Sequence, residues 1–405
     1  MKKISLALIL IFALFVSLMA GVQSAKSTPK TITVPDDYMT IAAAIQNASD
    51  GDTIFVKSGN YTESVEINKS ISLIDEENKT TVITAPSDGV FSGQTPIKIF
   101  ANNVKIFNLT INNYNVLGYG ISIIGNGTEI IGNTVYSQTA ISTDAPFTTI
   151  SENNISGYFV SVQIATSHCN ITNNILSSDG IAIDLEGSSN LVSGNRITGH
   201  PTNYDTMGYG VLINGNSNNV SENIVGGEND GIHVGSYGSN NAVTANSVIN
   251  CSEAGLRIDR WGFNNTYSEN NVTECKYGAG VGLGAYNNTI YHNNFVNNVQ
   301  QAFAQADVLN YWDRNNEGNY WSDFSTRYPN ATEIGNSGVW DTPYVINANN
   351  TDNYPLTMPY GTSAPSPEQE PFPTLLVVAV IVTVLALVVV GLLVYFKKRI
   401  RGRSP

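Results

Sequence analysis

Between about residue 100 and about residue 300, short runs alternate apolar and polar positions and are separated by polar turns. The runs recur roughly every 20–28 residues. Each unit reads as a glycine, an apolar alternation, a polar turn, then Asn-x-Ile/Val. Aligned on the last asparagine, the units fall at Asn133, Asn153, Asn173, Asn195, Asn223, Asn246, Asn270 and Asn293. The apolar residue two positions on is Val135, Ile155, Ile175, Ile197, Val225, Val248, Val272 or Phe295. The first half of the unit is equally regular, as in Gly231-Ile232-His233-Val234 and Gly255-Leu256-Arg257-Ile258. Alternation turns one set of side chains inward and the other outward, which is the period of a strand. No sustained helical period occurs in this stretch, so helical repeats are excluded. The predicted fold is all-β: a right-handed parallel β-helix solenoid, one coil per repeat, with Ile, Val and Leu filling its axis.

The asparagine column reads as mechanical. Asn accepts left-handed backbone at a sharp corner, and stacked copies can bond one another along the column. Two cysteines follow the same register: Cys251 lies five residues after Asn246, and Cys275 five after Asn270. Stacked in consecutive coils, they form either a disulfide or a pair of buried thiols. Cys169 has no counterpart.

The ends change the picture of where the chain sits. Residues 1–25 read as a signal peptide, with Lys2 and Lys3 before an apolar run. Residues 26–100 read as an N-terminal cap and the first coils. There Ile41, Ala44, Ile45 and Ala48 share one face of a capping helix within 38–48. Coils follow over 101–310, then an aromatic C-terminal cap over 311–360 and a Pro/Ser-rich linker over 361–373. Residues 374–396 are long and apolar enough for a transmembrane helix. The basic tail 397–405 is then cytoplasmic, and the bulk of the chain is a single-pass ectodomain outside the membrane. Outside the leader and tail, 13 basic side chains face 33 acidic ones, a net of about −20. That balance excludes a nucleic-acid partner. It also opposes polyanionic sugars unless a divalent cation bridges them. The chain is read as a monomer. About fifteen Asn-x-Ser/Thr sequons occur, among them Asn60, Asn126, Asn219, Asn264 and Asn330.

The run from Val34-Pro35-Asp36-Asp37-Tyr38 to Gly59-Asn60-Tyr61, with its Asp50-Gly51-Asp52-Thr53-Ile54, resembles the opening of pectin-lyase-like β-helices. Three C-terminal motifs point to a narrower group: Gly318-Asn319-Tyr320-Trp321-Ser322-Asp323-Phe324, Asp341-Thr342-Pro343-Tyr344-Val345-Ile346 and Asp352-Asn353-Tyr354-Pro355-Leu356. With these the chain resembles NosD-type β-helix proteins of archaeal surfaces over about residues 32–358. The resemblance implies architecture more firmly than chemistry. It brings two expectations: carbohydrate binding or hydrolysis, and the copper-site maturation role of the group's namesake.

Register supplies the candidate site. With each unit's glycine as origin, the outward residues two steps on are Ala182, Leu212, His233, Arg257 and Gly282. Four steps on they are Asp184, Asn214, Gly235, Asp259 and Gly284, and Asp230 stands one step before its glycine. Asp230, His233, Arg257 and Asp259 are therefore candidate catalytic residues on one outer sheet. Acid, base and guanidinium are the groups a polysaccharide lyase, epimerase or hydrolase needs. Asp184, Asn214, Arg260 and Trp261 are candidate ligand-binding residues. The competing reading is a solvated salt-bridge surface. The aromatic residues from Tyr311 to Tyr344 are either a plug for the core or a sugar platform. His168, His200, His233 and His292 share no register position, and no Met-rich or Cys-x-x-Cys element exists, which argues against copper. No cofactor is expected, and calcium is left open at the acidic turns with Asp50 and Asp52 or Asp341 and Asp352. The expected partner is a glycan or a cell-surface protein.

Overall fold

A computed structural model describes residues 28–75, 80–87, 93–199 and 208–361. Strands stack in parallel into a 12-stranded sheet and a 21-stranded sheet, the latter contributing two strands to most coils. One coil shows the plan. Asn219–Ser221 lies on the 12-stranded face, Ile224–Gly226 on the second face and Asp230–Val234 on the third. The chain then returns to the first face at Ala242–Thr244. The inward residues form one continuous core from Ile32 to Tyr344. Val220, Val225, Ile232 and Val234 are the fully buried contribution of this coil. Parallel stacking puts like over like, so each β-branched residue meets its counterpart one coil away.

The asparagine column is a hydrogen-bonded ladder. Each side-chain amide donates to the next oxygen from Asn133 through Asn153, Asn174, Asn195, Asn223, Asn246, Asn270 and Asn293 to Asn319, at 2.8 to 3.1 Å. Each oxygen also accepts the backbone N–H of the preceding asparagine, as Asn246 Oδ1 does from Asn223. The third rung is Asn174, not the expected Asn173, which takes left-handed geometry at the turn instead (φ 56°). Accordingly Leu176, not Ile175, is the inward residue there, and Ile175 is exposed. Asp352 ends the ladder. Its Oδ2 accepts from Asn319 N and Trp321 Nε1 at 2.7 and 2.8 Å. A carboxylate, all acceptor, suits a last rung with no further coil to serve.

A second column, Asn190, Asn218, Asn241, Asn265, Asn288 and Asn310, runs up another corner. Cys169 extends it, donating its N–H to Asn190 Oδ1, so the third cysteine does have a register position. Cys251 and Cys275 stack as expected but stand as free, buried thiols, with Cys251 N–H donating to Cys275 Sγ at 3.4 Å.

The helix of the N-terminal segment covers Ile41–Asn47, and its Ile41, Ala44 and Ile45 are buried against the first strands. At the other end Trp312, Trp321, Phe324 and Tyr344 are buried, and Trp321 stacks on Phe295 and Tyr344. These rings continue the core, while Tyr311 stays exposed. Among the described residues no helix is long and apolar enough to cross a membrane. The expected leader over 1–25, His200 and the span over 374–396 lie outside the described residues.

Candidate binding groove on the third face

The third face carries the expected patch. Strands Tyr209–Ile213, Asp230–Val234, Ala254–Ile258, Tyr277–Val281 and Gln300–Ala304 are consecutive parallel neighbours. Their register builds one outward column: Asp184, Leu212, His233, Arg257, Gly280, Phe303. The inward partners Ile232, Leu256 and Ile258 are buried, which holds the strand and so the column in place.

His233 is the centre of the polar part. Its Nδ1 meets Asp230 Oδ2 at 2.9 Å, and its Nε2 lies 3.8 Å from Asp259 Oδ2. Asp230 Oδ1 accepts the N–H of Ala254, which fixes the carboxylate. The edge of Tyr209 packs against the imidazole, with centroids 4.8 Å apart. Burial, then the charges of Asp230 and Asp259, push the Tyr209 phenol up, and Arg257 opposes them. The imidazole is thus oriented by Asp230 with Nε2 turned toward Asp259, which lines the neighbouring groove.

Beside it lies a groove of about 540 Å³ lined by Glu253, Arg257, Asp259, Arg260, Tyr277 and Phe303, with Gln305 at one end. It exists because Gly280 has no side chain between Arg257 and Phe303. A Cβ there would make ordinary van der Waals contact with side-chain atoms of Ala254 and Arg257, at 3.6 and 3.8 Å, and would meet no backbone. The Tyr277 and Phe303 rings sit 6.0 Å apart. Glu253 pairs with Lys276 at 2.6 Å on the exposed rim.

Four expected residues thus come together: Asp230, His233, Arg257 and Asp259, with Arg260 on the same groove. The others do not. Asp184 shares the column but lies two coils away behind Leu212. It is buried with Oδ1 unpartnered, and burial, then Glu186, pushes its carboxyl up to about 6. Asn214 lies over Gly235, not in the groove. Trp261 turns away onto Gly284, where a Cβ would lie 2.6 Å from its ring. The sequence alignment missed Tyr277, Gly280, Phe303 and Gln305. The alternating glycines Gly278, Gly280, Gly282 and Gly284 make the origin ambiguous by two residues, and Gly280 is the true neighbour of Arg257.

At the acidic turns the carboxylates accept hydrogen bonds from neighbouring groups. Asp50 accepts the N–H of Ser70, and Asp52 those of Lys30 and Ser49. Asp341 binds Thr332, and Asp352 is the buried ladder end. Among the described residues no group of three or more His, Cys, Asp or Glu is arranged to hold a metal.

Comparison with known proteins agrees with the fold. The family model described as "Periplasmic copper-binding protein (NosD)" matches residues 202–326, the stretch that carries the groove. A cell surface glycoprotein of Methanothermus fervidus is 37% identical over 108 residues, 26% of this chain. The match spans only 16% of that relative's length. Among solved structures, the Dettilon tailspike protein superposes with a TM-score of 0.50 at 13% identity, covering 71% of this chain and 70% of that one. Alginate lyase AlyF-OU02 in complex with G6 also gives 0.50 at 13% identity, covering 72% and 84%. At such identity the likeness is one of fold. The chain is a parallel β-helix protein whose residues 202–326 match the NosD family model.

Proposed function

We propose that this is an extracytoplasmic, surface-displayed β-helix that binds carbohydrate in the groove between Arg257 and Phe303. The observation that carries the reading is the groove's composition. Two aromatic rings stand beside guanidinium, carboxylate and amide groups, in a notch left by Gly280. Apolar faces with a few placed polar groups are what a ring bearing hydroxyls requires. The NosD match and the surface glycoprotein relative support the location. So do the exposed sequon residues Asn60, Asn126, Asn219, Asn264 and Asn330. In the same reading the Ile41–Asn47 helix lids the first coil, and 374–396 anchors the chain in the membrane.

One observation favours a second reading, a polysaccharide-processing enzyme: the Asp230–His233 contact that aims Nε2 toward Asp259 beside the groove. A glycan array probed with the purified full-length protein separates the two. Hits are then incubated with wild type, Asp230→Asn and Arg257→Ala. Binding with unaltered glycan is the expected result. Shortened or epimerised glycan, lost in either variant, would make the protein an enzyme, and silence across the array would remove the carbohydrate reading.

A further inference from the structure

Resting on the carbohydrate reading, we propose that the groove selects a saccharide with a carboxylate-bearing sugar, laid along the solenoid axis with that carboxylate on Arg257. The direction comes from register. Arg257, Gly280 and Phe303 belong to three successive coils and face outward in one column. Consecutive coils rise by about one strand spacing, ~4.8 Å, close to the length of one pyranose unit. An extended chain along the axis therefore places about one ring per coil. Tyr277 and Phe303 line the groove at the next two coils.

The charge comes from Arg257. It forms no ion pair among the described residues, and its Nε is buried with no hydrogen-bond partner. A buried donor without a partner costs free energy, more so on a charged group, and an incoming acceptor removes that cost. A guanidinium meets a carboxylate through two parallel N–H donors. Arg260, on the same groove, forms no ion pair among the described residues either, whereas Lys276 on the rim is taken by Glu253. Asp259 in the same groove repels a ligand charged along its whole length. The fit is to isolated carboxylates, not to a densely sulfated chain.

The test is titration calorimetry of the full-length protein against two oligosaccharides of one backbone and length. One carries uronic acid units, and the other has them reduced to neutral alcohols. A chelator is present throughout, so that calcium bridging contributes nothing. We expect the acidic form to bind at least tenfold more tightly, with the preference lost in Arg257→Gln and reduced in Arg257→Lys, which keeps the charge but not the fork. Circular dichroism of both variants checks folding. Gly280→Val, which fills the notch and leaves Arg257 in place, should abolish binding of both sugars. Equal binding of the two sugars overturns the inference and leaves the carbohydrate reading standing. A preference that survives Arg257→Gln overturns the assignment to Arg257. Binding of neither sugar overturns the carbohydrate reading and the inference with it.

Discussion

At the scale of the residue, three buried carboxylates depart from ordinary behaviour in the same sense. Burial pushes Asp184 up to about 6, Asp352 up to about 7 and Glu228 up to about 8. Glu228 is the clearest, with Oε1 buried and without a hydrogen-bond partner and the charge of Asp179 adding to the effect. A raised folded-state pKa means that the folded protein holds a proton the unfolded chain releases. The stability this contributes is complete below the unfolded value near 4.5 and is lost as pH rises through about 8. Denaturant melts should therefore show greater stability at mildly acidic pH than at pH above 8, and Glu228→Gln should flatten that slope. A wild-type stability that rises with pH across this window would contradict the assignment. The ladder makes a second residue-scale prediction. Asn223 gives its amide to Val192 O, Ser221 O and Asn246 Oδ1. Its own oxygen serves Asn195. Asn223→Ala leaves several of these groups unpaired at about 1–3 kcal/mol each. Its loss of stability should exceed that of Thr198→Ala on the outer surface of the same region, measured by the same melts. These asparagines were legible in sequence because each rung repeats one residue type. Asn173 was misassigned because Asn174 beside it is an equally good rung, and only register decides between them.

At the scale of the element, the unit is the coil. Thr134 pairs with Asn154 and Val135 with Ile155, so residues 134–153 are one complete coil. Removing them joins Asn133 to Asn154 in the geometry that Asn153 had, and the ladder closes onto Asn174. In a quasi-one-dimensional array, stability is a sum over repeats and their neighbours. The shortened protein should fold, keep its β circular dichroism, and unfold with a smaller denaturant dependence because less surface is exposed. Removing 134–143 alone breaks the register and should abolish folding. Equal behaviour of the two deletions would show that the coil is not the cooperative unit. The coil period was readable because inward positions demand β-branched residues whatever the turn length. The outward column was less readable. Nothing in the core distinguishes Gly278 from Gly280 as origin, and Tyr277, Gly280, Phe303 and Gln305 fell out of the candidate site for that reason. The column is also interrupted, since Leu212 separates Asp184 from His233.

At the scale of the whole molecule, charge and site pull in different directions. The chain carries a formal net charge of −13, which opposes anionic ligands at long range. Two guanidiniums nevertheless face one groove without carboxylate partners among the described residues. Long-range repulsion is screened within a Debye length of about 8 Å at physiological salt, whereas a contact inside the groove is not. Net charge is a poor guide to the groove, because composition averages over faces that the coil keeps apart. The account's central claim is that the notch at Gly280 is a binding site. The most direct measurement is saccharide binding by full-length wild type and Gly280→Val, with thermal melting run alongside. The account predicts that the variant still melts cooperatively, since an added Cβ there meets side-chain atoms of Ala254 and Arg257 and no backbone, and that it binds none of the wild-type ligands. A variant that folds normally and keeps its ligands would place binding elsewhere on the molecule.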